Sequence, residues 1–392
     1  MKLYDELVWR GLIKDKTNND DFVEKLNAGG MTLYLGTDPT ADSLHIGHYS
    51  SLLTVKRLQK AGHHVIILVG GATGLIGDPR PTAEREIIAK DVVLKNIEGI
   101  KKQVLDIFDG DVEVVNNYDW TKDVTLLDFL RDIGKYINVN YMLDKDIIRR
   151  RLETGITFAE FTYTLLQGYD FLHLYKEKNC IMQAAGSDQW GNITTGIELI
   201  NKILGEKAYG FTMPLILDAN GNKFGKSEGN ALWLNKDKTS PYQIYQYLFN
   251  SADEKVEEYL KVFTFLSKEE IDEVMKKHNE KPEDRFAQKT LAYEFIKDLH
   301  GKEEAIKAKE TSEKIFRGEA IDEMPTANVS SNNILDVLVD SKLCPSKSEA
   351  RRLVIQGGVS VDGEKVVDVE FTCPSEFVLR KGKKNIVKII VK

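Results

Sequence analysis

Two histidines three residues apart, His45 and His48, open a helical stretch at the end of the segment Asp38-Pro-Thr-Ala-Asp-Ser-Leu-His45-Ile-Gly-His48. A spacing of three puts both rings on one helical face. Gly47 between them removes a side chain where something can approach closely. A helix N-terminus also offers unpaired N–H groups and a positive dipole end, which suits phosphate. A second cationic element, Lys223-Phe-Gly-Lys226-Ser227, follows Gly221 in a Gly-rich loop. Two lysines on such a loop are placed to close over phosphate charge. Both elements point to chemistry on a nucleotide.

Two polar sets accompany them. Gly186-Ser-Asp188-Gln189-Trp190-Gly-Asn192 follows a strand candidate at 180–185, so it stands at a strand's carboxyl end, where open α/β sheets bind ligands. Asp188 there suits ribose hydroxyls. In the helix candidate 157–176, Tyr163, Gln167 and Asp170 form one polar stripe among Phe158, Phe161, Leu165, Leu166, Phe171 and Leu172. Such a stripe is either a solvent face or a pocket wall. In a pocket each unpaired group costs on the order of 1–3 kcal/mol until it finds a partner.

These residues need a scaffold. Residues 31–36 (MTLYLG) and 64–72 (HVIILVGGA) read as strands, with a helix from Leu44 to Ala61 between them. Strand, helix and strand in that order make a βαβ unit and a parallel sheet. Further helices are expected at 84–108 and 126–134. From residue 240 the texture is helical. Ser240-Pro-Tyr-Gln243 and Ser267-Lys-Glu-Glu270 are capping boxes, and 283–299 and 302–317 are amphipathic. The polar run around 323–332 reads as a linker. Beyond it, the capping box Ser346-Lys-Ser-Glu349 opens a helix that stops at Gly357-Gly358, Asp362-Gly363 marks a hairpin, and RKGKKNIVKIIVK closes the chain as a basic strand. The expected fold is α/β: a Rossmann-like parallel-sheet domain (1–222), an α-helical domain carrying the lysine loop (223–322), the linker, and a small α+β unit (333–392).

Composition narrows the setting. In 392 residues, 42% are hydrophobic and 29% charged, a globular profile with room for two or three cores. Cys180, Cys344 and Cys373 form no C-x-x-C pair, which argues against a zinc ribbon, a dithiol site or a disulfide framework. The apolar run from Val65 to Gly77 is short of the ~20 residues of a membrane span, and Met1-Lys-Leu-Tyr-Asp-Glu lacks a signal peptide's apolar stretch. A cytoplasmic protein without membrane partners is expected.

Together, HIGH after the first strand and KFGKS far downstream resemble the two signatures of class I aminoacyl-tRNA synthetases, the second as a variant of K-M-S-K-S. TLYLGTDPTADSLHIGH, GGATGLIGDP, NNYDW, FTYTLLQGYDF and GSDQWGN resemble the bacterial-type tyrosyl-tRNA synthetase family. PSKSEARRLVIQGGVSVDGEKV resembles the S4-like RNA-binding domain such enzymes carry. The resemblance covers nearly the whole chain with motif order kept.

The resemblance implies attack of tyrosine on the ATP α-phosphate, then transfer of the tyrosyl group to the terminal adenosine of tRNA(Tyr). The nucleophile is already a carboxylate, so positioning and charge stabilisation suffice. By motif, Thr40, His45, His48, Lys223, Lys226 and Ser227 are the catalytic set. Gly36, Asp38, Gly186 and Asp188, with His45, His48 and Lys226, form the ATP site. Tyr34 and Asp170 hold the substrate hydroxyl, Asp78, Tyr163 and Gln167 its ammonium, and Gln183 and Gln189 complete the pocket. A site built to bond a hydroxyl rejects phenylalanine by about 10⁵, a figure long attached to this enzyme class. Mg2+ is expected to travel with ATP rather than in a protein-built site. A homodimer is implied, joined through residues around 120–165.

Some positions depart from the family pattern. Leu35 stands where many relatives carry Cys, Thr37 replaces a common Phe, and RPTAER is short by about one residue, leaving Arg80 and Arg85 as its cations. Two other enzyme readings are weaker. A tryptophanyl relative would show GEDQ in place of GSDQ. A dinucleotide-dependent oxidoreductase would need the first Gly that Ala72-Thr-Gly74-Leu-Ile-Gly77 lacks. A non-catalytic RNA-binding protein would not need His45, His48, Lys223, Lys226 and Asp170.

The net charge of −7 conceals an asymmetry. Residues 328–392 hold eleven cations and eight acids, a net +3 that leaves −10 for the rest. Lys347, Arg351, Arg352, Arg380, Lys381, Lys383 and Lys384 make that tail the expected RNA contact, since phosphate binding follows local patches rather than the chain total.

Overall fold

Parallel strands covered on both faces become continuous apolar runs, and β3 (His64–Val69, HVIILV) is buried from Val65 onward. The computed structural model describes residues 1–79, 88–227, 230–317, 326–382 and 385–392. Besides β3, its first sheet contains β1 (Asp15–Lys16), β2 (Thr32–Thr37), β4 (Glu113–Asn116), β5 (Cys180–Gly186) and β6 (Tyr209–Met213), in the order β1-β6-β5-β2-β3-β4. All neighbours run parallel except β1, which is antiparallel to β6.

That order sets the position of the site. From β2 the chain passes through the helix Ile46–Lys60 to β3 on one side. It returns through the helix Phe158–Lys178 to β5 on the other side. Connections that diverge from adjacent strands leave a crevice at their carboxyl ends. Asp38 and Asp188 stand just past the ends of β2 and β5. The three strands read from sequence are present, whereas β1, β4 and β6 were not anticipated. β1 has two residues, β4 is only half-buried, and β6 (YGFTM) is buried at every position but carries a glycine. The helix expected at 84–108 is seen as Lys90–Ile107, and residues 80–87, with Arg80 and Arg85, lie outside the described residues.

The chain divides into two compact units. One is Met1–Gly225, Ala231–Lys238 and Glu257–Ser267; the other is Lys226–Asn230, Thr239–Val256 and Lys268–Lys392. In the second, the capping box at Ser240 forms in full and opens Pro241–Phe249. Lys268–Glu280, Phe286–His300 and Lys302–Arg317 follow. Two short strands, β7 (Lys226–Ser227) and β8 (Asn230–Ala231), precede these helices.

The C-terminal sheet has the order β11-β10-β12-β13-β9, from β9 (Thr326–Val329), β10 (Val359–Val361), β11 (Glu364–Val366), β12 (Glu376–Lys381) and β13 (Asn385–Val391). Asp362 and Gly363 both take positive φ, 48° and 88°, as a two-residue hairpin turn requires. One expectation is corrected here. Residues 326–329 are not linker but the edge strand β9, parallel to Lys388–Val391. Only Val329 of TANV is buried, so the strand exists through a pairing some sixty residues away that local pattern cannot reveal. The helix Lys347–Ile355 is capped by Ser346, but the Glu349 carboxylate turns to Lys381 at 3.5 Å instead of closing the box. Among the described residues no helix is long and apolar enough to cross a membrane.

Candidate active site

The two histidines cap their own helix. The Nδ1 of His45 accepts the Gly47 N–H at 3.1 Å, and the Nδ1 of His48 accepts the His45 N–H at 3.3 Å. Their rings stack with centroids 3.8 Å apart. Ile46 donates its N–H to the Leu232 carbonyl at 2.8 Å, and His48 donates its own to the His45 carbonyl at 2.8 Å. This corrects the expectation of a helix N-terminus with free N–H groups: the first donors are already taken. What remains to meet phosphate is on the rings. A ring that accepts on Nδ1 carries its proton on Nε2 and presents it as a donor. Burial, reinforced by the neighbouring His45, depresses the His48 pKa to about 3, so this ring is neutral at physiological pH.

The lysine loop begins on an anchor. Phe224 is buried between Tyr259 and Phe263, at ring distances of 4.8 and 4.7 Å. The helix bearing those two rings ends at Phe263, and carbonyls in its last turn and just beyond it are held by guanidinium groups. Arg10 donates to the Lys261 and Leu266 carbonyls at 2.8 and 2.7 Å, and Arg57 donates to the Thr264 carbonyl. Arg57 belongs to the same helix as His48. The loop also touches the histidine turn directly. A Cβ on Gly47 would lie 3.2 Å from the Phe224 carbonyl oxygen, and one on Gly225, at φ +83°, only 2.1 Å from Ile46. Gly225 accepts the Leu232 N–H at 3.1 Å. Lys223 is exposed and bridges Leu217 through its backbone. The side chains of Lys226 and Ser227 lie outside those described.

A buried polar network fills the crevice. Tyr163 donates its hydroxyl to Asp38 at 2.9 Å, and Thr73 donates to the other oxygen of Asp38 at 2.8 Å. Asn117, fully buried, donates to Thr73 at 3.1 Å and to Asp170 at 2.9 Å. The Trp120 indole N–H donates to the second oxygen of Asp170 at 2.9 Å. A second cluster adjoins. Gln189 donates to Asp78 at 2.8 Å, and Asn192 donates to Gln189 and Gln167, both at 2.9 Å. Burial raises the Tyr163 pKa most, and the negative charges of Asp38, Asp78 and Asp170 add to it, so this part of the crevice carries a negative potential that favours a cationic group.

Two buried polar atoms on the neighbouring strands have no partner. Tyr34 on β2 and Gln183 on β5 are register partners, each 1% exposed, and neither the Tyr34 hydroxyl nor Gln183 Oε1 makes a hydrogen bond. Burial, more than the facing Asp170, raises the Tyr34 pKa. Burial also lifts Asp170 to about 7 against its two hydrogen bonds. Orphaned buried groups are expensive unless a ligand satisfies them. Of the expected residues, Asp38, Tyr163 and Asp170 share one hydrogen-bonded set, and Asp78, Gln167 and Gln189 share the other. Gly36 is exposed on β2, Thr40 is exposed and turns on the Asp38 carbonyl at 2.9 Å, and Asp188 accepts from Gln189 at 3.3 Å. Sequence reasoning missed Asn117, Trp120, Thr73 and Asn192. NNYDW and GSDQWGN contain three of them, but nothing local says which side chain turns inward.

The C-terminal cations divide. Arg351 and Arg352 are exposed, Arg380 is half-buried, and Lys347 pairs with Asp336 while staying open to solvent. Lys381 is turned inward, onto Glu349 and the Leu343 carbonyl, because β12 points it at the helix Lys347–Ile355. Lys383 and Lys384 lie outside the described residues. Among the described residues no group of three or more His, Cys, Asp or Glu side chains could hold a metal.

With this geometry in hand, similarity to known proteins becomes informative. Residues 26–317 match the family described as tRNA synthetases class I (W and Y), and the chain belongs to that family. Residues 317–389 match the tyrosine–tRNA ligase SYY-like C-terminal domain. The tyrosine–tRNA ligase of Leuconostoc mesenteroides is 45% identical over 408 residues, spanning 98% of this chain and 98% of that protein. The structure of a C-terminally truncated mitochondrial tyrosyl-tRNA synthetase from Aspergillus nidulans covers 80% of this chain and 94% of its own, with a TM-score of 0.71 at 34% identity. A tryptophanyl-tRNA synthetase from Encephalitozoon cuniculi bound to tryptophan covers 78% of this chain and 87% of its own, with a TM-score of 0.57 at 15% identity. That last likeness is one of fold. Which amino acid is bound is decided by side chains, not by the sheet.

Proposed function

We propose that this chain ligates L-tyrosine to tRNA(Tyr) with ATP, by way of tyrosyl-adenylate. The supporting observation is the pair of buried, unpartnered polar atoms on the register partners Tyr34 and Gln183, with Asp170 close enough to Tyr34 to raise its pKa. A phenolic hydroxyl entering there accepts from Tyr34 and donates to the Asp170 carboxylate, which still has lone pairs after bonding Asn117 and Trp120. The substrate ammonium sits by Tyr163, Gln167 and Asp78, on the negative side of the crevice. Gln183 and Gln189 complete this pocket.

The tyrosine carboxylate attacks the α-phosphorus of ATP; the bond to the β-phosphate oxygen breaks and pyrophosphate leaves. His45 and His48 meet the phosphates and ribose through Nε2–H donors, and Thr40 adds a hydroxyl. Gly36, Asp38, Gly186 and Asp188 line the adenylate. Lys223 and Lys226 neutralise the leaving pyrophosphate, and Ser227 adds a hydroxyl donor. A ribose hydroxyl of the tRNA's terminal adenosine then attacks the tyrosyl carbonyl and AMP leaves. Mg2+ arrives on the nucleotide's phosphates. Arg351, Arg352 and Arg380 lead the RNA contact from the C-terminal unit, with Lys347 beside them.

The working form is a cytoplasmic homodimer. Leu126, Leu127, Leu130, Val139 and Phe158 are exposed apolar side chains within residues 120–165, and Leu127 and Phe158 are 78% and 75% exposed. Light scattering on the purified chain tests this. The activity is tested by ATP–pyrophosphate exchange with tyrosine, tryptophan and phenylalanine in parallel. Exchange with tyrosine far above the other two is expected, and none with tyrosine would overturn the assignment.

A further inference from the structure

Asp170 receives both its hydrogen bonds from one short segment, at Asn117 and Trp120. The two donors are secured differently. Asn117 is fully buried and tied at its other end to the Ala72 N–H at 2.7 Å. Trp120 is only half-buried, in the four-residue helix Tyr118–Thr121. A four-residue helix does not hold an indole in one rotamer on its own. What lies on the ring is His173, with centroids 4.4 Å apart and planes within 16°. His173 follows Asp170 by three residues on the helix Phe158–Lys178, so one helical face supplies both the carboxylate and the plate that orients its donor. Tyr169 supports His173 at 6.4 Å and is itself supported by Phe129 at 6.1 Å.

We infer that His173 is a positioning residue for tyrosine selectivity, holding Trp120 so that its indole N–H stays on Asp170. The inference rests on the reading that Asp170 takes the substrate hydroxyl. Burial lowers the His173 pKa, with Lys176 and Lys178 acting the same way and Glu177 opposing, so the contact at neutral pH is between two uncharged rings. A flat apolar ring is therefore a fair replacement for it. With the plate removed, the indole swings toward water and one oxygen of Asp170 loses its donor. Substrates with a hydroxyl then suffer, and substrates without one do not.

The test compares kcat/KM for tyrosine and phenylalanine in pyrophosphate exchange for the full-length wild type, His173→Leu, His173→Phe and Asp170→Ala. His173→Leu keeps the volume without the flat face, and about a tenfold fall in the tyrosine-to-phenylalanine ratio is expected, with KM for ATP unchanged. His173→Phe should stay within about twofold of wild type. An unchanged ratio in His173→Leu, or an equal loss in His173→Phe, overturns the proposal. An unchanged ratio in Asp170→Ala instead overturns the underlying reading of Asp170, and a ratio lost in Asp170→Ala but kept in His173→Leu places the fault in the stack alone.

Discussion

His48 accepts the backbone N–H of His45 on Nδ1 at 3.3 Å while their rings stack 3.8 Å apart, so the signature pair is first of all a helix cap. His48→Ala removes that acceptor and should cost about 1 kcal/mol, the usual worth of an N-cap. His48→Asn places an amide oxygen near the position of Nδ1 and should restore most of it, as urea denaturation can measure. The pH dependence follows from the folded pKa of about 3 against 6.5 in the unfolded chain. Between those values only the unfolded state binds the proton, so stability drops as the pH falls through that window. His48→Asn should flatten this part of the acid limb.

Asp170 titrates with the opposite sign. Its folded pKa is about 7 against 3.8 when unfolded, so between those values only the folded state holds the proton. Its contribution to stability is complete below 3.8 and is lost as the pH rises through 7. Function should run the other way, because a protonated Asp170 gives up acceptor capacity. In kcat/KM for tyrosine an inflection near pH 7 is expected, with activity falling on the acid side. The same profile taken with phenylalanine should lack it. A tyrosine profile flat from pH 6 to 8 would place the ionisation elsewhere.

Phe224 carries the start of the lysine loop, and its replacement should separate loop function from substrate binding. Phe224→Ala empties the space between Tyr259 and Phe263 and should cost about 3–5 kcal/mol. Phe224→Leu should cost under about 1.5 kcal/mol. In Phe224→Leu, pyrophosphate exchange at saturating ATP should slow while tyrosine affinity, read by equilibrium dialysis, holds. Gly47→Ala gains about 1 kcal/mol of helix propensity but sets a Cβ 2.8 Å from His45 and 3.2 Å from the Phe224 carbonyl. The clash should prevail, and the variant should lose both stability and exchange activity.

Legibility in the sequence followed the range of the interactions. β2, β3 and β5 and the helices around them were readable because burial on both faces leaves apolar runs and caps leave local signatures. Residues 326–329 were not, because TANV becomes a strand only beside residues 388–391. Within the site, the residue types at Tyr34, Asp78, Tyr163, Gln167 and Asp170 were readable as a motif. That Asn117 and Trp120 hold Asp170 was hidden in NNYDW, since the contact spans some fifty residues. The helix N-terminus differed for two reasons: the Gly47 and His48 N–H groups are taken by His45 itself, and the Ile46 N–H by Leu232, which is distant in sequence.

The division of charge predicts a division of labour, and β9 dictates where to cut. Removing residues 328–392 would split β9 and strand Thr326 and Ala327, whose partners are Lys388 and Ile389. A chain ending before Thr326 removes the whole sheet and with it Val329, Leu379 and Ile389 of its core. The cut uncovers Ile315 and Tyr242, which pack against Val378 and Ile386, so a modest loss of stability is expected. The buried polar sets around Asp38, Asp170 and Asp78 and the histidine turn lie wholly in the first unit, so their hydrogen bonds should survive the cut. Pyrophosphate exchange should therefore continue at close to the full-length rate, while tyrosine transfer to tRNA falls by orders of magnitude. Charge reversal at Arg351 and Arg352 in the full chain should reproduce part of that loss and make the salt dependence of tRNA binding shallower, because fewer phosphate contacts release fewer counterions. Reversal at Lys381 should act differently, because its ammonium is engaged with Glu349 and the Leu343 carbonyl: it should lower the melting temperature rather than the salt dependence.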